Sequence, residues 1–188
     1  MRPLFASIVC IIASFAARFS AAQTIGHDGC TVDAEVLKLP ECAVDRQGGE
    51  TTLRAEFLPI LPHFSDSKSK LAYRELSEGG WAYFNRQGRV LVKNVASFDN
   101  GSSPFHYGLV RITQANKWGL ADVHGTIVVP LEFDGAYEYE PRARHWTVCK
   151  KCHLVEKGEY SWFEGGTWFA LDKHGKLIDQ IAEPTYPR

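Results

Sequence analysis

The chain has 188 residues, with 21 basic side chains against 22 acidic ones and a formal net charge of −1. This near balance argues against a protein that binds nucleic acid, because such proteins carry an excess of lysine and arginine. With 45% hydrophobic and 12% aromatic residues, the composition is typical of a folded domain and excludes a disordered chain.

The first 22 residues have the order of a secretory signal peptide. Arg2 is followed by an apolar run over residues 4–17 and then by small residues that end at Ala22. The run is shorter than the roughly 20 apolar residues that span a bilayer, which favours a cleaved signal over a membrane anchor. We therefore predict a periplasmic or secreted protein, with no stable membrane span after residues 1–22 are removed.

Four cysteines remain in the mature chain, and an exported protein meets oxidising conditions that favour disulfides. They are Cys30, Cys42, Cys149 and Cys152. Three pairings exist, of which Cys30–Cys42 with Cys149–Cys152 is the most local. A zinc site would need a second C-x-x-C pair and a reducing compartment. The sequence thus predicts disulfides and no metal.

Three stretches of the chain share one spacing, Trp-x6-Gly. The pairs are Trp81 and Gly88, Trp118 and Gly125, and Trp168 and Gly175. In each stretch an Asn or Asp follows the tryptophan by four residues, and β-branched residues or leucine follow the glycine. An Asx residue that opens a turn and a glycine that closes it with positive φ are typical of a β-hairpin.

The pattern predicts an all-β fold of tandem β-hairpin repeats, with about three units. A degenerate N-terminal copy, CAVDRQGG at residues 42–49, belongs to the segment 23–63. The repeat domain is expected over residues 64–181, and a short tail over residues 182–188.

The middle unit carries the clearest motif, KWGLADVHGTIVVPLEFD at residues 117–134, which resembles the bacterial WG repeat. The matching positions are Lys117, Trp118, Gly119, Asp122, Gly125, Pro130, Phe133 and Asp134. In the flanking copies Ala82 and Phe169 replace the glycine after tryptophan, and Asn85 replaces the aspartate. The resemblance implies a β-repeat array with an interaction or scaffolding role, and it implies no catalytic residues.

An insertion separates the second and third units, because their tryptophans lie 50 residues apart against 37 for the first pair. We predict an inserted hairpin at about residues 141–165, which contains CKKCH at residues 149–153. In a hairpin, Cys149 and Cys152 would face each other across a two-residue turn, within reach of a disulfide. The expected role of the motif is therefore a staple at the tip of this hairpin.

CKKCH also permits two other interpretations. C-x-x-C-H is the spacing of a c-type haem site, in which Cys149 and Cys152 bond to the vinyl groups and His153 binds the iron. The β-like flanks disfavour it, since such sites usually lie on a short helix. A thiol–disulfide redox protein could use the same dithiol, but it would require a helix N-terminus to lower the thiol pKa. No cofactor is therefore expected, with haem c as the alternative.

Two further groups of residues are candidates for binding. A basic cluster around Trp146 could grip an anionic polymer or an acidic protein face, or could be a solvated hairpin face. The cluster contains Arg142, Arg144, His145, Lys150 and Lys151. The repeat tryptophans are either a carbohydrate-binding row or core residues. Two carboxylate pairs, Glu132 with Asp134 and Glu138 with Glu140, each share one face of an extended chain, which would suit acid–base chemistry, although surface acids are far commoner.

These observations favour an exported, non-catalytic binding or scaffolding module over an enzyme. Its partner is unknown, and a protein or a cell-envelope polymer is a better candidate than nucleic acid. The c-type haem protein and the thiol–disulfide redox protein are the alternatives.

Overall fold

The computed structural model describes residues 23–66, 68–98 and 101–185. The prediction of an all-β repeat fold is confirmed, with 54% of residues in strands and 7% in helix. The helices are 3₁₀, at Glu41–Ala43 and Ala55–Phe64. The predicted signal peptide lies outside the described residues, and among those residues no helix has the length and apolarity needed to cross a membrane.

Short strands make up most of the described chain. In order they are β1 (Gln23–Ile25), β2 (Thr31–Asp33), β3 (Val44–Gln47), β4 (Glu50–Leu53), β5 (Ser65–Asp66), β6 (Leu71–Glu75), β7 (Trp81–Phe84), β8 (Val90–Val95), β9 (Ser97–Phe98), β10 (Gly101–Ser102), β11 (Leu109–Gln114), β12 (Lys117–Asp122), β13 (Ile127–Phe133), β14 (Gly135–Ala136), β15 (Trp146–Lys150), β16 (His153–Lys157), β17 (Tyr160–Glu164), β18 (Thr167–Leu171) and β19 (Leu177–Ile181).

Each repeat unit is a three-stranded antiparallel meander with its tryptophan at or near the start of the middle strand. The units are β6–β7–β8, β11–β12–β13 and β15–β18–β19. The first two units share a seven-stranded sheet of order β13-β12-β11-β8-β7-β6-β5, and the third lies in a four-stranded sheet of order β14-β15-β18-β19. The inserted hairpin β16–β17 is a separate two-stranded sheet.

The turn of every unit is built in the same way. The side-chain Oδ1 of Asn85, Asp122 or Asp172 accepts two backbone N–H groups, from the residues two and four positions later, at 2.8–3.0 Å. Asparagine can replace aspartate because both side chains present an acceptor oxygen at this position. The glycine that closes each turn has φ between +79° and +84°.

These glycines also lie against the preceding unit. A Cβ at Gly125 would lie 2.0 Å from the carbonyl oxygen of Leu91 on β8, and one at Gly175 would lie 2.6 Å from Cγ2 of Val129 on β13. A Cβ at Gly88 would meet the carbonyl oxygen of Leu53 on β4 at 3.0 Å. The turn of each unit therefore packs on a strand of the preceding unit, and these contacts stack the units.

The N-terminal copy forms a hairpin of a different kind. β3 and β4 pair down to Gln47 and Glu50, so that Gly48 and Gly49 alone make the turn and the Asx geometry is absent. Even so, the N–H of Leu53 donates to the carbonyl of Gly88 at 2.7 Å. The hairpin thus serves as the unit on which the first complete repeat stacks.

The disulfide Cys30–Cys42 ties the start of β2 to the first 3₁₀ helix. Behind it, the guanidinium of the buried Arg74 on β6 donates to the carbonyl of Ile60 at 2.8 Å. Burial lowers the pKa of Arg74 to about 10, so the side chain is still charged at neutral pH. It joins the first repeat to the second 3₁₀ helix.

Candidate functional site

The CKKC segment forms a corner between the third repeat and the inserted hairpin. The structure contains the disulfide Cys149–Cys152. Cys149 lies on β15, which pairs with β18 and places Cys149 opposite Trp168, whereas β16 starts at His153 and pairs with β17. The prediction that this disulfide staples a hairpin tip is therefore wrong, because Cys149 lies in β15, Cys152 lies in the connection to β16, and these two strands pair with β18 and β17 and not with each other.

The inserted hairpin is accordingly shorter than the predicted 141–165. It spans β16 and β17, and its tip lies at Gly158. Residues 146–150 of the predicted insertion are instead β15, the first strand of the third repeat. The spacing of the tryptophans indicated the insertion correctly. The local pairing of β15 with β16 that the sequence suggested is not formed, because β15 pairs with β18.

The first and last residues of the repeat motif, Lys117 and Asp134, hold this corner in place. The carboxylate of Asp134 accepts a hydrogen bond from Nζ of Lys117 at 2.5 Å and another from the backbone N–H of Lys151 at 2.6 Å. These bonds keep the pKa of Asp134 below its usual value. On the other side of the corner, a Cβ at Gly166 would lie 2.3 Å from the carbonyl oxygen of Lys150, so the returning chain is in close contact.

This geometry favours a staple over the alternative uses of CKKCH. The two sulfurs are bonded to each other, and Cys149 is fully buried with Phe163 and Trp168. His153 is exposed at the start of a strand. Across the described ranges, no three His, Cys, Asp or Glu side chains are grouped so that they could hold a metal ion.

The basic cluster is divided by the structure. Arg142 and Arg144 are exposed in the turn before β15, while Lys150 lies at the far end of that strand, about 13 Å from Trp146 at 3.3 Å per residue. Lys150 pairs with Glu132 at 3.1 Å, and Lys151 donates its N–H to Asp134. Trp146 is fully buried and offers no stacking surface. The structure therefore does not bring the predicted basic residues and His145 together on one face around an exposed Trp146.

A wide groove lies instead between the second repeat, the third repeat and the inserted hairpin. Its volume is about 960 Å³, against 200–510 Å³ for three other surface grooves of the described chain. We call it the aromatic groove. Its walls include Thr113, Trp118, Tyr137, Glu138, Tyr139, Glu140, Leu154, Ser161 and Phe163.

A buried ion pair forms the floor of the aromatic groove. Arg111, 6% exposed, donates from Nε and Nη2 to Oε1 of Glu138 at 2.9 and 2.5 Å, and from Nη1 to the carbonyl of Ala136 at 2.7 Å. The hydroxyl of Ser103 donates to the same carboxylate oxygen. His106 lies 3.7 Å from the other oxygen, and burial lowers its pKa, against the pull of Glu138. The floor is therefore neutral overall and rigid.

Trp118 forms part of the wall, held by contacts on two sides. The guanidinium of Arg111 lies 5.5 Å from its ring centroid, and the ring of Phe163 meets it edge-on at 5.6 Å. Its equivalents Trp81 and Trp168 are buried, at 8% and 2% exposure. The repeat tryptophans therefore divide into two core residues and one groove residue.

Tyr137 connects the groove wall to the inserted hairpin. Its ring stacks on Trp168 with centroids 5.6 Å apart, and its hydroxyl accepts the N–H of Phe163 at 2.7 Å. Neither Tyr137 nor Arg111 was a candidate from the sequence. An arginine within the apolar strand LVRIT was the available signal for Arg111. Glu138 and Glu140, paired in sequence, do both line the groove.

Comparison with known proteins gives one result that bears on this region. Residues 118–140 match the family described as WG containing repeat. That segment contains Trp118, Tyr137 and Glu138 of the groove. Searches of curated proteins and of solved structures found no match to the chain.

Proposed function

The chain is a WG-repeat protein, and on that premise we propose that it is an exported, non-catalytic binding module whose aromatic groove holds the ligand. The observation that supports this most is the position of Trp118. The tryptophan of the matched repeat lines an open groove, while its two equivalents are core residues. An aromatic side chain held at a concave surface is typical of binding sites.

The polar groups of the groove floor support a binding role over catalysis. The hydroxyl of Ser103 donates to Glu138 and not to His106, and Glu138 is engaged by Arg111. A nucleophile requires a base within hydrogen-bond reach, and this arrangement gives the serine a carboxylate that is already neutralised by a cation.

Export is supported by the N-terminal sequence and by the two disulfides. The order of the first 22 residues is that of a signal peptide, and both disulfides would need an oxidising compartment to form and persist. Periplasmic or secreted location would bring the groove into contact with cell-envelope polymers and envelope proteins.

A pair of matched substitutions tests the proposed role of the groove. Thr113→Arg places a long side chain in the aromatic groove, and Thr126→Arg places the same side chain and charge at an exposed turn position. We expect the protein to sediment with an insoluble bacterial cell-envelope fraction, and Thr113→Arg to reduce the bound amount at least about tenfold. Thr126→Arg should bind as the unaltered chain does. Equal binding by the two variants would exclude the groove as the site.

A further inference from the structure

We infer that the ligand of the aromatic groove is a neutral glycan strand, that is, an unbranched β-linked polysaccharide. This rests on the proposed function and specifies its ligand class. The argument proceeds from the charge of the groove, its aromatic surface and its hydroxyl groups.

The charges of the groove disfavour an anionic ligand. Arg111 lies in the floor, but its guanidinium already binds Glu138 and the carbonyl oxygens of Ala136 and Ser97. Within the described part of the chain, no lysine lines the groove. A site for phosphate, nucleic acid or an acidic peptide would present arginine or lysine donors to the ligand, and this lining does not.

A cationic peptide is also a poor fit. Two carboxylates line the groove, and Glu138 is neutralised by Arg111. Glu140 is exposed, and its Oε1 accepts the backbone N–H of Arg142 at 2.9 Å. One carboxylate with remaining acceptor capacity can orient a ligand but does not give the multiple charge contacts that basic peptides need.

The aromatic surface suits the flat C–H face of a sugar ring. Trp118 is held by Arg111 and Phe163, and Tyr137 is held by its stack on Trp168. Rings fixed before the ligand arrives lose little side-chain freedom on binding. The negative face of an aromatic ring attracts the weakly positive C–H groups of a pyranose.

Hydroxyl side chains supply the remaining contacts. Sugar hydroxyls both donate and accept hydrogen bonds, and serine and threonine hydroxyls can take either role. Five such residues line the groove: Ser97, Thr113, Thr147, Ser161 and Thr185. A groove of about 960 Å³ is at the upper end of the range for single small-molecule sites, which fits several units of a polymer.

The test is a titration of the full mature chain with three soluble probes, in which binding is measured by tryptophan fluorescence and by calorimetry. The probes are the β-1,4-linked hexasaccharides of glucose and of N-acetylglucosamine, and hexalysine. We expect at least one hexasaccharide to bind and hexalysine not to bind. Trp118→Ala should lower the affinity for the hexasaccharide at least about tenfold. Trp162→Ala, on the opposite face of β17 from the groove residue Phe163, should change affinity less than about twofold.

The outcomes separate this inference from the proposed function. Binding of hexalysine alone overturns the glycan class. So does failure of both hexasaccharides while Thr113→Arg still abolishes envelope binding, and the proposed function then stands. If Thr113→Arg has no effect on envelope binding, the proposed function of the groove and the glycan inference are both excluded. Should Trp118→Ala not fold, Thr113→Arg in the same titration gives the decision, because it fills the groove at a partly exposed position.

Discussion

At the scale of single residues, the turn glycines meet two independent demands. Gly125 has φ +84°, which L side chains rarely adopt, and a Cβ there would lie 2.0 Å from the carbonyl oxygen of Leu91. The first demand comes from its own turn and the second from the preceding repeat. A glycine is therefore required for local conformation and for stacking.

Comparison of Gly125→Ala with Gly158→Ala separates the effect of the turn conformation from the effect of stacking. Gly158, at the tip of the inserted hairpin, has φ +64° and nothing within 4 Å of its would-be Cβ. We expect Gly158→Ala to lower the free energy of unfolding by about 1 kcal/mol, from backbone strain alone. Gly125→Ala should lower it by about 2–4 kcal/mol, since the collision adds to the strain.

Urea unfolding of both variants provides the measurement. Equal losses for Gly125→Ala and Gly158→Ala would contradict the view that the turn of one repeat is packed against the strand of the previous one. Leu91→Ala is a poor substitute in this comparison, because the group in contact with Gly125 is the backbone carbonyl of Leu91 and not its side chain.

Residue identity alone did not reveal which tryptophan lines the groove. Trp81, Trp118 and Trp168 have the same place in the sequence unit, yet they differ in their neighbours. Trp81 packs against Tyr73 at 5.9 Å and Trp168 against Tyr137 at 5.6 Å. Trp118 contacts Arg111, at a diagonal position on the neighbouring strand β11, and Phe163 from the inserted hairpin. Those neighbours come from pairing partners that the sequence unit does not encode.

At the scale of elements, the inserted hairpin is attached to the repeats at its base. The disulfide Cys149–Cys152 fixes the entry to β16, and Gly166 fixes the exit from β17. Leu154, Ser161 and Phe163 of this hairpin form one wall of the aromatic groove. The position of the wall is therefore set at the base of the hairpin, together with the hydrogen bond from the N–H of Phe163 to Tyr137.

Removal of the corner disulfide should loosen the hairpin more than the repeats. A closed loop of four residues constrains the unfolded chain weakly, so Cys149→Ala with Cys152→Ala should lower global stability by only about 2 kcal/mol. We expect amide exchange in residues 153–164 to accelerate well beyond that of β11 and β12. A two-stranded hairpin with few other supports has little stability of its own.

The matched control is the double variant Cys30→Ala with Cys42→Ala, which removes a disulfide of longer loop far from the groove. It should leave exchange in residues 153–164 close to that of the unaltered chain. If the corner variant instead showed unchanged protection in the hairpin, the contact of Tyr137 with Phe163 would be enough to hold the wall.

The choice of strand partners shows the limit of sequence reasoning at this scale. The Trp-x6-Gly spacing predicted the hairpins because an Asx turn and a positive-φ glycine act within a few residues. The partner of β15 is β18, which starts at Thr167, and the sequence between them offers the nearer strand β16. Stacking on the preceding repeat decides between the two, and that contact is distant in sequence.

At the scale of the whole molecule, the repeat array is asymmetric. The N-terminal hairpin β3–β4 occupies the position of a preceding unit but lacks the Asx turn. The third repeat contains the insertion. The aromatic groove therefore lies where a repeat junction and the inserted hairpin meet. On the proposed function, the irregular unit supplies the binding surface, while the regular turns provide the frame.

Export and the state of CKKCH can be tested together by the intact mass of the protein, produced with its first 22 residues in a bacterium able to attach haem. We expect a chain that begins at Gln23, with a mass four hydrogens below that of the reduced chain, because two disulfides are formed. Reduction should restore those hydrogens. The proposed signal peptide would bring the chain to a compartment where both disulfides can form.

Two other masses would contradict this account in different ways. A covalent addition of about one haem that survives denaturation would make Cys149 and Cys152 attachment sites and exclude the corner disulfide. A chain that retains residues 1–22 with its thiols reduced would place the protein in a reducing compartment. The glycan inference would then lose its source of ligand, since the polymers of the cell envelope lie outside the cytoplasm.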